Sequence, residues 1–215
     1  VGTSEKGLFT YNLENQKSDK LNFNPGKSNV SDEKINIQAL AIDNVGNVYV
    51  TGWCEGFGTY KDYVTIKYTS TGFQEWAAQY NGPLDADDEA KDIAVDKLGN
   101  VFITGWSYAS GTAKDYATIK YNSSGEQIWV ERYNGTGNLD DEGISIAIDS
   151  SDNIYVTGSS YEQATSNDFT TIKYSPSGNT DWVMHYNGPG NLDDQAKEIA
   201  LDKTGNAYVI GMSEN

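Results

Sequence analysis

Several things are scarce in this sequence, and each scarcity closes off a class of protein. There is one cysteine, Cys54, in 215 residues. No disulfide can form within the chain, so it is not a small fold stapled by cystines. There is one histidine, His185, in an outer strand; no second histidine is there to share a metal, and no Ser-His-acid arrangement can be argued from it. Bases are few: 15 Lys and Arg against 31 Asp and Glu, a formal charge of −16. Phosphate backbones and anionic bilayers would be repelled, which excludes nucleic acid as a partner. No apolar run approaches the length of a membrane span, so no membrane insertion is expected. No glycine-rich phosphate loop, Cys/His metal spacing or dinucleotide fingerprint is present. The chain starts at Val1 and shows no leader, as expected of a processed product or an excised piece.

What the chain has in plenty is Gly, Asn, Ser, Thr, Tyr and Trp, a composition suited to exposed β structure and turns. It also has a period. Asp43, Asp96, Asp149 and Asp202 occupy one position in four copies, each 53 residues from the next. A fixed period of this length marks a repeat architecture.

The second copy shows the plan. Lys91 to Asp96 reads as a first strand, and Asp96 to Asn100 as a hairpin turn in which Gly99 takes φ > 0. Val101 to Trp106 is the second strand, Ser107 to Lys114 a loop, Asp115 to Tyr121 the third strand, and Gln127 to Tyr133 the fourth. Together they form an antiparallel meander. Lys67, Lys120 and Lys173 recur in the third strand, and Trp76, Trp129 and Trp182 recur in the fourth. The three tryptophans are assigned to packing between copies. The third hairpin has Asp152 where the others have glycine, and Asp tolerates the left-handed region better than most residues.

A sheet with two apolar faces must stack on its neighbours. Ala41, Ala94, Ala147 and Ala200 hold one first-strand position. Small residues there suit a taper toward an axis, which favours a ring of blades over a straight row. The expected fold is all-β, a β-propeller of four-stranded antiparallel blades in a single domain over residues 1–215. Complete blades fall at 37–81, 90–134 and 143–187. Residues 196–212 supply the first two strands of a fourth blade, and residues 1–30 supply divergent third and fourth strands. That blade closes within one chain or between two chains, or the chain is a segment of a longer propeller.

The recurring Asp-Asp-Glu-Ala-x-x-Ile-Ala-Val-Asp-x-x-Gly-Asn-Val-x-x-Thr-Gly, with Asp-Tyr-x-Thr-Ile-Lys-Tyr and Trp-x-x-x-Tyr-Asn-Gly, resembles the bacterial SBBP-type β-propeller repeat. The resemblance covers residues 31–215 well and residues 6–24 poorly. It implies repeat regions of secreted or surface-attached bacterial and archaeal proteins, mostly without an assigned activity. It carries no catalytic residues, and no enzyme activity is expected.

In such a meander the entry loops share one face with the loops between second and third strands. Two residue sets gather there. Asp87, Asp88, Asp140, Asp141, Asp193 and Asp194 are candidate ligands for Ca²⁺, a hard cation that takes six to eight oxygens, although their spacing is not that of an EF-hand. The structural alternative ranks first: these acids cap turn amides, or they pair with Lys67, Lys120 and Lys173 across a blade interface. Trp53, Tyr60, Trp106, Tyr108 and Tyr161 are candidates for stacking on a glycan or gripping a peptide. The alternative is that they pack loops onto blade tops. His185 and Cys54 are expected to be structural. The reading that results is a non-enzymatic extracellular scaffold or protein-interaction module, with homo-oligomerisation in view. A carbohydrate-binding propeller or a Ca²⁺-stabilised segment of a larger secreted protein are the alternatives.

Overall fold

The computed structural model describes residues 9–12, 17–20, 35–55 and 60–214. They form β strands, turns and bends, with no helix among the described residues. A short hairpin pairs β1 (Phe9–Asn12) with β2 (Lys17–Lys20). Three four-stranded antiparallel meanders follow. The first holds β3 (Ile35–Ile42), β4 (Val48–Glu55), β5 (Lys61–Tyr68) and β6 (Gln74–Tyr80). The second holds β7 (Asp88–Val95), β8 (Val101–Ala109), β9 (Ala113–Tyr121) and β10 (Gln127–Tyr133). The third holds β11 (Asp141–Ile148), β12 (Ile154–Glu162), β13 (Ser166–Tyr174) and β14 (Thr180–Tyr186). A two-stranded sheet of β15 (Asp194–Leu201) and β16 (Ala207–Ser213) ends the chain. The fold is all-β and built of propeller-like repeats. The residues expected to complete a closing blade from the N-terminus lie largely outside the described residues.

Each first hairpin turns on its aspartate. Asp96 Oδ1 accepts the amides of Leu98 and Asn100, both at 2.8 Å, and Oδ2 accepts the Asn100 side chain at 2.7 Å. Gly99 sits at φ 79°, and Asp152 holds the same place at φ 63° without breaking the turn. The second strands β4, β8 and β12 are buried along most of their length, as expected of strands covered on both faces.

Two features depart from the sequence-based expectation. The stretch Ser107–Lys114 is mostly strand. The ladder runs on through Ser107 with Asp115 and Ala109 with Ala113, and Gly111 at φ 87° with Ala113 at φ 60° closes a tight turn. In addition, every first strand carries a bulge, between Ile37 and Ala39, Ala90 and Asp92, Gly143 and Ser145, and Ala196 and Glu198. A glycine faces each bulge. A Cβ on Gly158 would lie 1.9 Å from the Glu142 carbonyl oxygen, and one on Gly105 2.1 Å from that of Glu89. The repeated Thr-Gly thus reflects close backbone approach.

The first strands β3, β7, β11 and β15 lie next to one another in succession. Their alanines sit among the side chains of the neighbouring sheet: Ala39 and Ala41 pack on the cluster of Tyr49, Tyr63, Ile93 and Ile119, and Ala94 on that of Phe102 and Ile146. Two of the three fourth-strand tryptophans bridge successive sheets, while Trp182 meets Tyr155 of its own sheet at 6.0 Å. Trp76 lies 6.2 Å from Tyr49 in its own sheet and 6.3 Å from Tyr121 in the next, with its indole N–H donating to the Ser123 carbonyl. Trp129 repeats this with Phe102 and Tyr174.

Candidate functional site: the entry-loop junctions

At each junction between sheets a buried aspartate closes the entry loop. Asp88 Oδ2 accepts the Gly82 amide at 2.6 Å, Asp141 Oδ2 the Gly135 amide at 2.8 Å, and Asp194 Oδ2 the Gly188 amide at 2.5 Å. Asp141 Oδ1 also accepts the Tyr161 amide. Asp88, Asp141 and Asp194 are all fully buried. Burial pushes the Asp88 and Asp141 carboxyls up to about 6, against the pull of Ser107 and Ser160 and of the loop amides. The preceding acids reach back to the third strand. Asp87 accepts the Lys61 amide, Asp193 accepts the Asn167 amide, and Asp140 lies 3.5 Å from Lys114 Nζ.

The six candidate metal ligands are therefore occupied as loop caps and ion pairs. Among the described residues no group of three or more His, Cys, Asp or Glu side chains is placed to hold a metal ion. The pairing of these acids with Lys67, Lys120 and Lys173 does not occur. Those lysines sit at the opposite end of the third strand, in register with Tyr49, Phe102 and Tyr155. There Lys67 pairs with Glu75 at 2.7 Å, Lys173 with Asp181 at 3.2 Å, and Lys120 donates to the Pro176 carbonyl. The lysines that meet the entry acids start the third strand: Lys61 with Glu89 at 3.6 Å and Lys114 with Glu142 at 2.6 Å. In the next copy both partners change together, to Asn167 and Gln195.

Two further residues in these junctions, Gln79 and Arg132, were not singled out from sequence, and they share one position in the fourth strand with His185. Gln79 donates to Asp62. Arg132 Nη1 donates to Ser107 Oγ at 2.8 Å and Tyr80 Oη at 3.2 Å, while Nη2 donates to the Ser107 carbonyl at 2.7 Å and lies 3.3 Å from Asp115 Oδ2. His185 Nδ1 lies 2.9 Å from Thr170 Oγ1 and 3.5 Å from Glu162 Oε1. The signal in the sequence was a polar residue of changing charge just before the repeated Tyr80, Tyr133 and Tyr186. Cys54 stands where the other copies have Ser107, Ser160 and Ser213. Its thiol is buried and pushed up to about 11 by that burial and by Asp62, so it is a protonated, poorly nucleophilic group.

The five candidate aromatics are dispersed and largely engaged. Trp106 is 5% exposed, with Lys114 Nζ 4.6 Å and Lys91 Nζ 5.9 Å from its ring centroid and Tyr108 edge-on at 5.6 Å. Trp53 is half-buried under Lys61 Nζ at 4.6 Å. Tyr161 is half-buried against Gly137, where an added Cβ would meet its ring at 2.2 Å. Tyr60 alone of the five is open, 49% exposed.

Stacked four-stranded meanders joined by repeated polar junctions define a propeller-repeat protein. A family model for the SBBP β-propeller repeat matches three segments of the chain, residues 29–53, 75–111 and 128–163. No curated protein matches the chain. Among solved structures it is similar to a structural-genomics target with a provisional gluconolactonase assignment, at 10% identity and a TM-score of 0.47, over 97% of this chain and 69% of that one. It is also similar to the periplasmic gluconolactonase PpgL of Pseudomonas aeruginosa, at 10% identity and a TM-score of 0.44, over 95% of this chain and 72% of that one.

Proposed function

We propose that the chain is a non-enzymatic β-propeller scaffold that presents its rims and end sheets to protein partners. One observation carries the reading: the acids, lysines and polar fourth-strand residues of the entry face do the same supporting job at successive junctions. Asp88, Asp141 and Asp194 each hold the loop glycine amide six residues upstream. A group repeated in this way stabilises a joint; a catalytic constellation would be assembled once. The N-terminal hairpin and the β15–β16 sheet are read as the two halves of one blade. The resemblance to secreted repeat regions supports an extracellular or cell-surface setting in a bacterium or archaeon.

Quantitative binding against proteins of the host surface tests the scaffold reading, with fractionation of the host to test the setting. A protein partner bound through the rims or the end sheets is the expected result. Turnover of a lactone or glycoside by the purified chain, abolished by a substitution on the entry face, would end the non-enzymatic reading.

The exposed Tyr60, close in sequence to the Lys61-capped Trp53, favours a second reading as a glycan-binding rim. Glycan-array binding lost in Tyr60→Ala would support it. A calcium requirement is tested by melting with and without chelator, and the amide-capping role of the entry acids predicts superimposable curves.

A further inference from the structure

The two ends of the row of sheets expose the two halves of a single kind of interface. Leu40 on β3 is 52% exposed. Its equivalent in the second copy, Ile93, is 5% exposed and belongs to the cluster that joins the first two sheets. Ile146 and Ile199, the next two equivalents, are buried as well. Ile42, beside Leu40 on the same face, is also exposed. At the other end, Tyr208 on β16 is 58% exposed, whereas its equivalents Tyr49, Phe102 and Tyr155 are buried. Ile210 is 61% exposed in the place of the buried Thr51, Thr104 and Thr157, and Met212 continues the apolar line. The terminal face thus keeps the aromatic of the internal faces and carries an isoleucine where they carry threonine. β16 also lacks the third-strand partner that β4, β8 and β12 all have.

Inside the chain the matching surfaces meet each other. Tyr49 of the first sheet and Ile93 of the second share one buried cluster. Tyr208 and Leu40 are the corresponding residues at the two ends, and within one molecule both stay open.

We propose that the occupant of each end is a second copy of this chain, docked head to tail. The Tyr208–Ile210–Met212 face of one copy meets the Leu40–Ile42 face of the other, and the N-terminal hairpin β1–β2 of that other copy supplies third and fourth strands to β16. Continuity with the internal joint argues for this partner, because the surface wanted at one end is the surface left bare at the other. The contact is heterologous, so two copies complete a ring when the rotation closes and a filament grows when it does not. This names a partner for the scaffold proposed above and rests on that reading.

Light scattering on the purified 215-residue chain tests it, with Leu40→Glu and Tyr208→Glu as variants. Both side chains are exposed in the single chain, so each variant keeps its fold, checked by circular dichroism. The native chain is expected to run at twice the monomer mass or in larger multiples, and each variant alone as a monomer. An equimolar mixture of the two variants is expected to recover association, because each supplies the face the other lacks. A native chain that stays monomeric at high concentration overturns the proposal, as do variants that associate like the native chain or a mixture that stays monomeric. The self-association readout is separate from partner binding and turnover, so a lost scaffold function with intact association, or the reverse, identifies which reading failed.

Discussion

The phenol of Tyr116 donates a hydrogen bond to the backbone carbonyl of Thr170, 3.2 Å away and 54 residues on. It crosses from the third strand of one sheet to the third strand of the next, and Tyr63 makes the same bond to Ala117. The copy that follows has Phe169, whose ring keeps the aromatic contact with Tyr186 at 5.4 Å and has no hydroxyl to give. Tyr116→Phe should therefore preserve the edge-on contact with Tyr133 and lose one buried bond. The Thr170 carbonyl would still pair within the sheet, so the expected loss is about 1 kcal/mol. In urea melts the midpoint should fall with an unchanged slope. A midpoint equal to that of the native chain would show that the bond contributes nothing to the joint.

The glycines opposite the first-strand bulges are a harsher test. A Cβ on Gly158 meets both the Glu142 carbonyl oxygen at 1.9 Å and the Tyr116 hydroxyl at 2.9 Å. The nearer obstacle is backbone and cannot swing away. Gly158→Ala should cost about 3 kcal/mol. Gly111→Ala, where an added Cβ meets nothing within 4 Å but φ is 87°, should cost about 1 kcal/mol through backbone strain alone. Thermal melts of the two variants should separate in that order. Equal losses would mean that backbone approach is not what keeps glycine at 158.

Much of this was legible in the sequence, and the reason is physical. A 53-residue period, turn aspartates and an aromatic at the end of each third strand all follow from local chemistry repeated along the chain. Local chemistry gives the meander and the need to stack. The bulges were not legible, because the extra residue in β7 pairs with nothing that a period-2 pattern can register. The partners of the lysines were misread for a related reason. Asp88 and Lys67 repeat at the same period, but the antiparallel path carries them to opposite ends of the sheet. Arg132 passed unnoticed because its copies are Gln79 and His185, so that the shared position is visible only once Ser107 and Asp115 are seen around it.

The hairpin aspartates supply a prediction independent of the sheet joints. Asp149 Oδ1 accepts two turn amides, from Ser151 at 2.8 Å and Asn153 at 3.0 Å, and Oδ2 accepts the Asn153 side chain and the Tyr155 phenol. Asp149→Ala removes both acceptor oxygens, and with them four hydrogen bonds, and leaves a half-buried turn with unpaired donors, a loss of about 2 kcal/mol. Asp149→Asn keeps an oxygen for the amides and should recover part of it. The two variants ranked by chemical melting decide the matter. If the alanine variant proves no less stable than the asparagine one, the capping account of this turn is wrong.

Acidity should act on the molecule in two opposite ways. Asp88 and Asp141 are buried, and that burial raises their carboxyls to about 6 against an ordinary value of 3.8. The folded chain thus binds protons at these two groups that the unfolded chain has already released. Between about pH 4 and 6 stability from this pair falls as pH rises, by on the order of 1–3 kcal/mol per group. The turn carboxylates run the other way. At Asp43 and Asp149 burial pushes upward, but the hydrogen bonds from Asn47 and Asn153 and from the turn amides outweigh it and hold both below the usual range. Asp202 is held low chiefly by the Asn206 and Thr204 side chains. Stability from these three is present above about pH 4 and lost as pH falls further. The sum is a melting temperature that climbs as pH drops from 7.5 to about 4 and then turns down. The double variant Asp88→Asn with Asp141→Asn keeps an acceptor for the Gly82 and Gly135 amides and removes the charge. Its melting temperature should be nearly flat between pH 7.5 and 5 while the acid-side decline remains. A native chain already flat over that upper range would show that these two carboxylates carry no unfavourable charge in the folded state.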